Sequence, residues 1–277
     1  MAQAPSLASR ERDLRASVRG LRSAIVAYSG GVDSALLAAI ARSELGDRAL
    51  AVTGVSASVA QGELEAARSL AARIGIRHET LQTHEFENPA YRANPANRCF
   101  YCKDELFGRL AHLARERGFD HVVDGANADD GASALDVRPG RGAALAHAVR
   151  SPLAQANLTK ADVRALARAL DLPVWQKPAT PCLSSRVPYG TRIEDDDLRR
   201  IDLAERYLRA SGFPTVRVRH FGALARVEVP RADIARLEER RGNVARALRD
   251  VGYERVEIDP RGYRTGSLNE NVGSSGV

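Results

Sequence analysis

Ser29-Gly30-Gly31-Val32-Asp33-Ser34 combines residue types suited to holding a polyphosphate. Two adjacent glycines let the backbone turn tightly and approach an anion closely. A helix starting at this point adds its N-terminal N–H groups and the positive end of its dipole. Ser29 and Ser34 add hydroxyl donors. Asp33 is out of place beside an anion unless a cation lies between them, and Mg²⁺ is the hard cation that bridges carboxylate and phosphate. For a bare Gly-Gly pair, a strand–helix turn with no ligand is the plainer alternative. The stretch is not a Walker A loop, which ends in Gly-Lys-Ser/Thr.

Cys99, Cys102 and Cys182 are the only cysteines. Three is an odd number for a disulfide framework, and no segment resembles a secretory signal, so reduced thiols are expected. Cys-x-x-Cys is a spacing used for iron–sulfur clusters and for zinc. Three thiolates without a fourth leave an open coordination position. A Cys₃His zinc site and free thiols with Cys182 acting alone are the other readings. Arg217 and Arg219 alternate on an expected strand and so share one face. Paired guanidinium groups suit a phosphate, although a solvated outer face is the ordinary fate of arginine. Arg192 and Arg226 are read as solvated, and Trp175 as core packing.

Strands alternating with helices must position these groups. Ala24–Tyr28, Arg48–Val55, Arg77–Leu81 and His121–Asp124 read as strands. Asp33–Leu45, Ala60–Ile74, Asp104–Arg117 and the stretch from Thr159 to Leu170 read as helices, with Gly118 and Thr159 as caps. This is the pattern of a doubly wound, mostly parallel α/β sheet, which binds ligands at the carboxyl ends of its strands. Lys177–Ile193, with three prolines and Gly190, reads as an ordered loop or junction. Beyond it, a helix (Asp195–Ala210), two strands (Thr215–His220, Ala223–Val229), a helix (Arg231–Val251) and a last strand (Arg255–Ile258) form a smaller, loosely ferredoxin-like α+β domain. The expected division is residues 1–180, 181–265 and a disordered tail at 266–277.

The chain of 277 residues is 44% hydrophobic, enough for a sizeable core. No apolar run approaches the ~20 residues of a membrane span, so a cytoplasmic location is expected. The net charge is +6, but arginine is scattered over every expected helix, and aromatics are only 5%, which leaves few stacking platforms for single strands. Nucleic acid is therefore not the expected partner, and phosphorylated small molecules are.

In its strand–helix setting, the glycine hexapeptide resembles the PP-loop of the N-type ATP pyrophosphatases. The resemblance implies cleavage of ATP between its α and β phosphates, adenylation of a carbonyl or carboxyl oxygen, and displacement of AMP. It implies that Ala27 and the backbone near Val52 and Thr53 hold adenine, and that Gly125 flanks the nucleotide. In the acidic turn Asp124-Gly125-Ala126-Asn127-Ala128-Asp129-Asp130, Asp129 is a second candidate Mg²⁺ ligand. Helix capping by Asn127 or Asp129 is the other reading of that turn.

Four segments in order look like the LarE family of sulfur transferases: Asn97–Lys103, Asp124–Asp130, Lys177–Arg186 and Val216–His220. That resemblance covers most of the chain. It implies a pyridinium mononucleotide substrate whose carboxylates become thiocarboxylates, for a nickel-pincer nucleotide cofactor of lactate racemase. It gives Cys182 the sulfur-transferring role. Some members sacrifice that cysteine, which becomes dehydroalanine. Others hold a [4Fe–4S] cluster on three cysteines, the arrangement expected of Cys99, Cys102 and Cys182. It places the substrate phosphate on Arg217 and Arg219, with Lys103, Ser185 and Arg186 nearby, and implies a homotrimer or homohexamer. A tRNA thiolase, an amidating synthetase and a non-catalytic nucleotide-binding module are the rival readings. The first lacks an evident RNA-binding module, the second leaves the cysteines without work, and the third leaves Asp33 and Ser34 without work.

Overall fold

Short apolar runs separated by amphipathic stretches can bury both faces only as parallel strands between helix layers. The computed structural model has this arrangement and describes residues 5–130 and 140–264. In chain order, the first elements are α1 (Leu7–Arg19), β1 (Ala24–Ala27), α2 (Val32–Leu45), β2 (Ala49–Val55), α3 (Gln61–Ile74) and β3 (Arg77–Gln82). Next come α4 (Pro89–Arg92), α5 (Arg98–Arg117), β4 (His121–Val123), α6 (Gly140–Ala146), α7 (Pro152–Gln155) and α8 (Lys160–Ala169). The last are α9 (Asp195–Ala210), β5 (Arg217–Phe221), β6 (Leu224–Glu228), α10 (Ile234–Glu239), α11 (Arg241–Asp250) and β7 (Arg255–Ile258).

The chain forms two compact units. The first comprises Met1–Ser56, Gly62–Asn88 and Asn97–Thr180. The second begins its long segment at Pro181 and also takes Ala57–Gln61 and Pro89–Ala96. Those two short pieces lie within residues 1–180, which the sequence reading gave wholly to the first domain. The expected tail at 266–277 lies outside the described residues.

In the first unit the sheet order is β3-β2-β1-β4, and every neighbouring pair is parallel. The two-residue period of β1 divides its side chains between two cores. Ala24 and Val26 pack with Leu36, Leu37 and Ile40 of α2, Leu70 of α3, and Val163 and Leu166 of α8. Ile25 and Ala27 pack with Phe107 and Leu110 of α5 and Ala143 of α6. Trp175 packs against the first of these cores, as expected, with the Arg168 guanidinium 4.9 Å from its ring centre.

α5 starts at Arg98, six residues before the helix expected from Asp104. Its first two turns bury Arg98 but no apolar side chain, so hydrophobic periodicity is silent there. It ends where expected, with Gly118 in the left-handed conformation at φ 70°.

The second unit has a three-stranded sheet, β5-β6-β7, antiparallel between β5 and β6 and parallel between β6 and β7. A ferredoxin-like unit has one strand more. α9, α10 and α11 cover it through Leu208, Leu237, Val244 and Leu248, around Val218, Ala225 and Val227. The single helix expected over Arg231–Val251 is interrupted at Arg240 (φ −100°, ψ 7°), two residues before Gly242, the poorest helix former in the stretch.

Candidate functional site

β1 delivers the chain to the carboxyl edge of the sheet, and α2 departs from it with Gly31 as its N-cap. Gly30 lies at φ +73°, and a Cβ added there would be 2.8 Å from the Ala67 Cβ on α3. Glycine is therefore required by both conformation and packing. The serines tie the turn together. The Ser29 N–H donates to Ser34 Oγ (3.2 Å), Ser34 Oγ donates to the Gly31 carbonyl (3.1 Å), and the two hydroxyls lie 3.2 Å apart. Gly31 brings no capping side chain, and Asp33 sits in the first turn of α2, where the helix dipole favours a negative group.

The turn after β4 packs directly onto this helix start. A Cβ on Gly125 would lie 2.8 Å from the Ser34 nitrogen and 3.0 Å from the Asp33 carbonyl carbon. Asn127 Nδ2 donates to Asp33 Oδ1 (3.1 Å), and the Lys160 ammonium is ion-paired with Asp33 Oδ2. Lys160 is the first residue of α8, placed there by a capping box between Thr159 and Asp162. Asp129 Oδ2 accepts from the Lys160 N–H (2.7 Å), so Asp129 has the capping role that the sequence left open beside a metal role.

Ala27 ends β1 at the same edge. The Val52 carbonyl accepts from the Tyr28 N–H (2.9 Å), which continues the β1–β2 pairing to this edge. Thr53 Oγ1 donates to the Tyr28 carbonyl (2.7 Å) and therefore accepts from His78 Nε2 (2.8 Å). Burial, then the nearby Arg68, pushes the His78 pKa down, consistent with a neutral imidazole donating to Thr53. Burial likewise raises the Tyr28 hydroxyl's pKa.

Cys99 and Cys102 lie three residues apart in the first turns of α5, on one helix face, within the first unit. Lys103 follows them, its ammonium 5.1 Å from the Phe107 ring centre. Cys182 belongs to the second unit and precedes a short 3-10 turn, Leu183–Arg186. All three cysteines are thiols, and Cys99 and Cys182 are exposed. Among the described residues, no group of three or more His, Cys, Asp or Glu is gathered for a metal.

The Cys182 loop is locked from beneath. Arg186 donates to the carbonyls of Pro181 (2.6 Å) and Cys182 (3.0 Å), and bidentately to Glu205 Oε1 (2.8 Å) and Oε2 (3.0 Å). Glu205 is 0% exposed and also accepts from Arg209 and from the Val218 N–H. Burial opposes the Arg186 charge, but Glu205 outweighs it and raises the guanidinium's pKa. Arg186, one of the residues expected near the substrate phosphate, thus holds the loop.

Arg217 and Arg219 point to one face of β5 and are buried, not solvated. Arg219 donates to the Ser185 carbonyl (2.7 Å) and pairs with Glu228 (3.0 Å). Arg217 donates to the Tyr263 hydroxyl (2.7 Å). Burial lowers the pKa of Arg217; Tyr263 opposes that shift, while Arg186 and Arg219 add to it. Ser185, Arg186, Arg217 and Arg219 are thus gathered in one unit, and Lys103 lies in the other. Arg226 pairs with Glu257, and Arg192 with Glu194, at the surface. Sequence reasoning missed Lys160, Asn127 as the partner of Asp33, Glu205 and Tyr263. Only Lys160 had a local signal, the Thr-x-x-Asp cap that starts its helix.

A family model described as asparagine synthase matches residues 15–129. An uncharacterized protein of Synechocystis sp. is 45% identical over 265 residues, 95% of this chain and 98% of that protein. Pyridinium-3,5-bisthiocarboxylic acid mononucleotide synthase of Lactiplantibacillus plantarum is 35% identical over 268 residues, 96% of each chain. Argininosuccinate synthase of Rhizobium etli is 30% identical over 124 residues, 40% of this chain and 30% of that one. The family model spans the glycine turn and the four strands of its sheet, while the Lactiplantibacillus plantarum relative, matched over 96% of this chain, covers both units. The chain belongs to the LarE family of PP-loop ATP pyrophosphatases.

Proposed function

We propose that the chain is an ATP-dependent sulfur transferase acting on pyridinium-3,5-dicarboxylic acid mononucleotide, converting its carboxylates to thiocarboxylates with release of AMP and pyrophosphate. The observation that carries the ATP half is Asp33, held by Asn127 and Lys160 where α2 starts behind the Gly30–Gly31 turn. The product named for the Lactiplantibacillus plantarum relative supports the sulfur half.

A carboxylate is a poor acyl donor because its leaving group would be oxide. Attack of a substrate carboxylate oxygen on the α-phosphorus of ATP forms an acyl-adenylate, and the α–β bond breaks with its electron pair leaving on pyrophosphate. A sulfur nucleophile then adds to the carbonyl carbon, and the carbon–oxygen bond to AMP breaks. The backbone N–H groups at the start of α2 and the Ser29 and Ser34 hydroxyls bind the departing phosphates. Asp33 is the carboxylate at the loop suited to Mg²⁺, which supplies positive charge to the triphosphate when bound. Lys160, ion-paired with Asp33 at the same loop, offers its ammonium to the phosphates. Ala27 and the Thr53 backbone flank adenine.

Cys182, exposed on a loop fixed by Arg186, is the residue of sulfur transfer, as a cluster ligand or, acting alone, as a donor whose Cβ–S bond breaks to leave dehydroalanine. Cys99, Cys102 and Cys182 would hold a [4Fe–4S] cluster through their thiolates, and the cluster would supply a renewable sulfide. Arg217 and Arg219, with Ser185, take the mononucleotide phosphate. Assembly as a trimer or hexamer follows the family.

The test is anaerobic purification, iron analysis, and turnover with ATP and the dicarboxylate mononucleotide. Pyrophosphate release that depends on the mononucleotide, with a thiocarboxylate product, is expected. Pyrophosphate release without sulfur incorporation, in protein whose three thiols are intact, sinks the transferase reading. Replacing any one of the three cysteines by Ala is expected to remove most of the iron. Loss of activity in Cys182→Ala alone, with dehydroalanine at Cys182 after reaction, would overturn the cluster and keep the family.

A further inference from the structure

Three buried arginines, Arg186, Arg217 and Arg219, lie close enough to influence one another's charge. Two are neutralised by carboxylates, Arg186 by Glu205 and Arg219 by Glu228. Arg217 has none within ion-pair distance among the described residues, although it is only 5% exposed. Its one hydrogen-bond acceptor there is the phenol of Tyr263, 2.7 Å from Nη2, and its guanidinium carbon lies 4.4 Å from the Tyr263 ring centre. A buried cation faced by a phenol in place of a carboxylate is suited to receive an anion from outside the chain.

Tyr263 is placed with care. After β7, the chain reverses through Asp259–Gly262. The Asp259 N–H donates to the Val227 carbonyl (2.9 Å), and the Gly262 N–H to the Asp259 carbonyl (3.1 Å). Gly262 lies at φ +71°, and a Cβ there would be 2.9 Å from the Val229 carbonyl oxygen. The Tyr263 N–H then donates to that same carbonyl (2.8 Å), which brings the ring alongside the start of β5. A phenol oxygen accepts and also donates. Here it accepts from Arg217, and its own proton has no acceptor among the described residues.

We propose that Tyr263 completes a phosphomonoester subsite with Arg217: its ring and oxygen hold the guanidinium in place, and its proton is donated to the bound phosphate. This rests on the reading that Arg217 receives the substrate phosphate. It adds a residue that both positions the arginine and touches the ligand. Because a phenol holds Arg217 without cancelling its charge, the subsite stays receptive to a dianion, which a carboxylate in the same place would repel.

The test is calorimetry on the full chain with two probes, pyridinium-3,5-dicarboxylic acid mononucleotide and its dephosphorylated nucleoside. Tyr263→Phe keeps the ring and removes the hydroxyl. It is expected to weaken mononucleotide binding roughly 10- to 100-fold, the range for a hydrogen bond to a charged group. Nucleoside binding, ATP binding and the unfolding midpoint are expected to stay unchanged. Mononucleotide binding as tight as in the unsubstituted protein, with Arg217→Ala weakened, overturns the role of Tyr263 and leaves the arginine site standing. Equal losses for mononucleotide and nucleoside show a merely structural role and overturn it too. If Arg217→Ala also binds normally, or the unsubstituted protein binds neither probe, the phosphate reading fails and this inference fails with it.

Discussion

Lys160→Ala separates what the Lys160–Asp33 pair does for stability from what it does for ATP. The lysine side chain is 36% exposed and the aspartate 23%. An ion pair that open to solvent contributes about 0.2–1 kcal/mol to folding. For a protein of this size, that lowers the melting temperature by no more than about 4 °C. In the proposed ATP complex the same ammonium faces phosphate oxygens, where a charge-assisted hydrogen bond is worth about 1.5–3 kcal/mol. The expected result is a fall in kcat/KM for ATP of roughly 10- to 100-fold in mononucleotide-dependent pyrophosphate release. Asn127 still holds Asp33 Oδ1 in the variant, so the carboxylate keeps one anchor. A fall in kcat/KM of less than about threefold, or a melting-temperature loss large enough to explain the fall, would refute the assignment of Lys160 to the phosphates.

Gly125→Ala forces a methyl against the Asp33 and Ser34 backbone, so ATP use is expected to fall by a factor of about 100. Gly118→Ala, strained by its φ of +70° but with nothing within 4 Å of the added methyl, is the control expected to lose about 1 kcal/mol of stability and keep its ATP kinetics; equal kinetic losses would show that close approach to the loop is not the cause. Glu205→Gln leaves Arg186 buried without its carboxylate, and a denaturant titration is expected to show a loss of about 3–5 kcal/mol; less than about 1 would mean the pair is not holding the unit. The pKa of His78 is lowered from 6.5 in the folded state, so the unfolded chain binds more protons in the window between the two values. Stability is therefore full above about pH 6.5 and declines as the pH falls through that window. His78→Gln is expected to flatten this slope in pH-dependent melting curves, and an unchanged slope would rule out His78 as its source.

What the sequence made legible is what short-range physics determines. The turn from Ser29 to Ser34 was readable because glycine conformation, helix start and buried strand are all local, and they fall within a few residues of one another. The Thr159 cap was readable for the same reason, and so was the shared face of Arg217 and Arg219. The start of α5 was not, because its first turns carry no apolar period, and that hid the placing of Cys99 and Cys102 on one helix face. The partners of the reactive groups were hidden by distance along the chain. Asn127 lies 94 residues from Asp33, and Lys160 lies 127 from it. Tyr263 lies 46 residues from Arg217.

These hidden partners share a physical logic. If Asp33 and Arg217 meet ligands as proposed, neither can be fully neutralised by its neighbours without losing that capacity. In the structure, Asp33 is met by an amide and a half-exposed lysine, and Arg217 by a phenol. Arg186 is different. It holds the Cys182 loop, and it is met by a fully buried carboxylate in bidentate geometry. Motif spacing marks all three as charged residues near a site. The strength of the protein partner is what separates Asp33 and Arg217, proposed to meet ligands, from Arg186. On that argument, carboxylate removal at Glu205 acts on stability, and phenol-hydroxyl removal at Tyr263 acts on phosphate affinity.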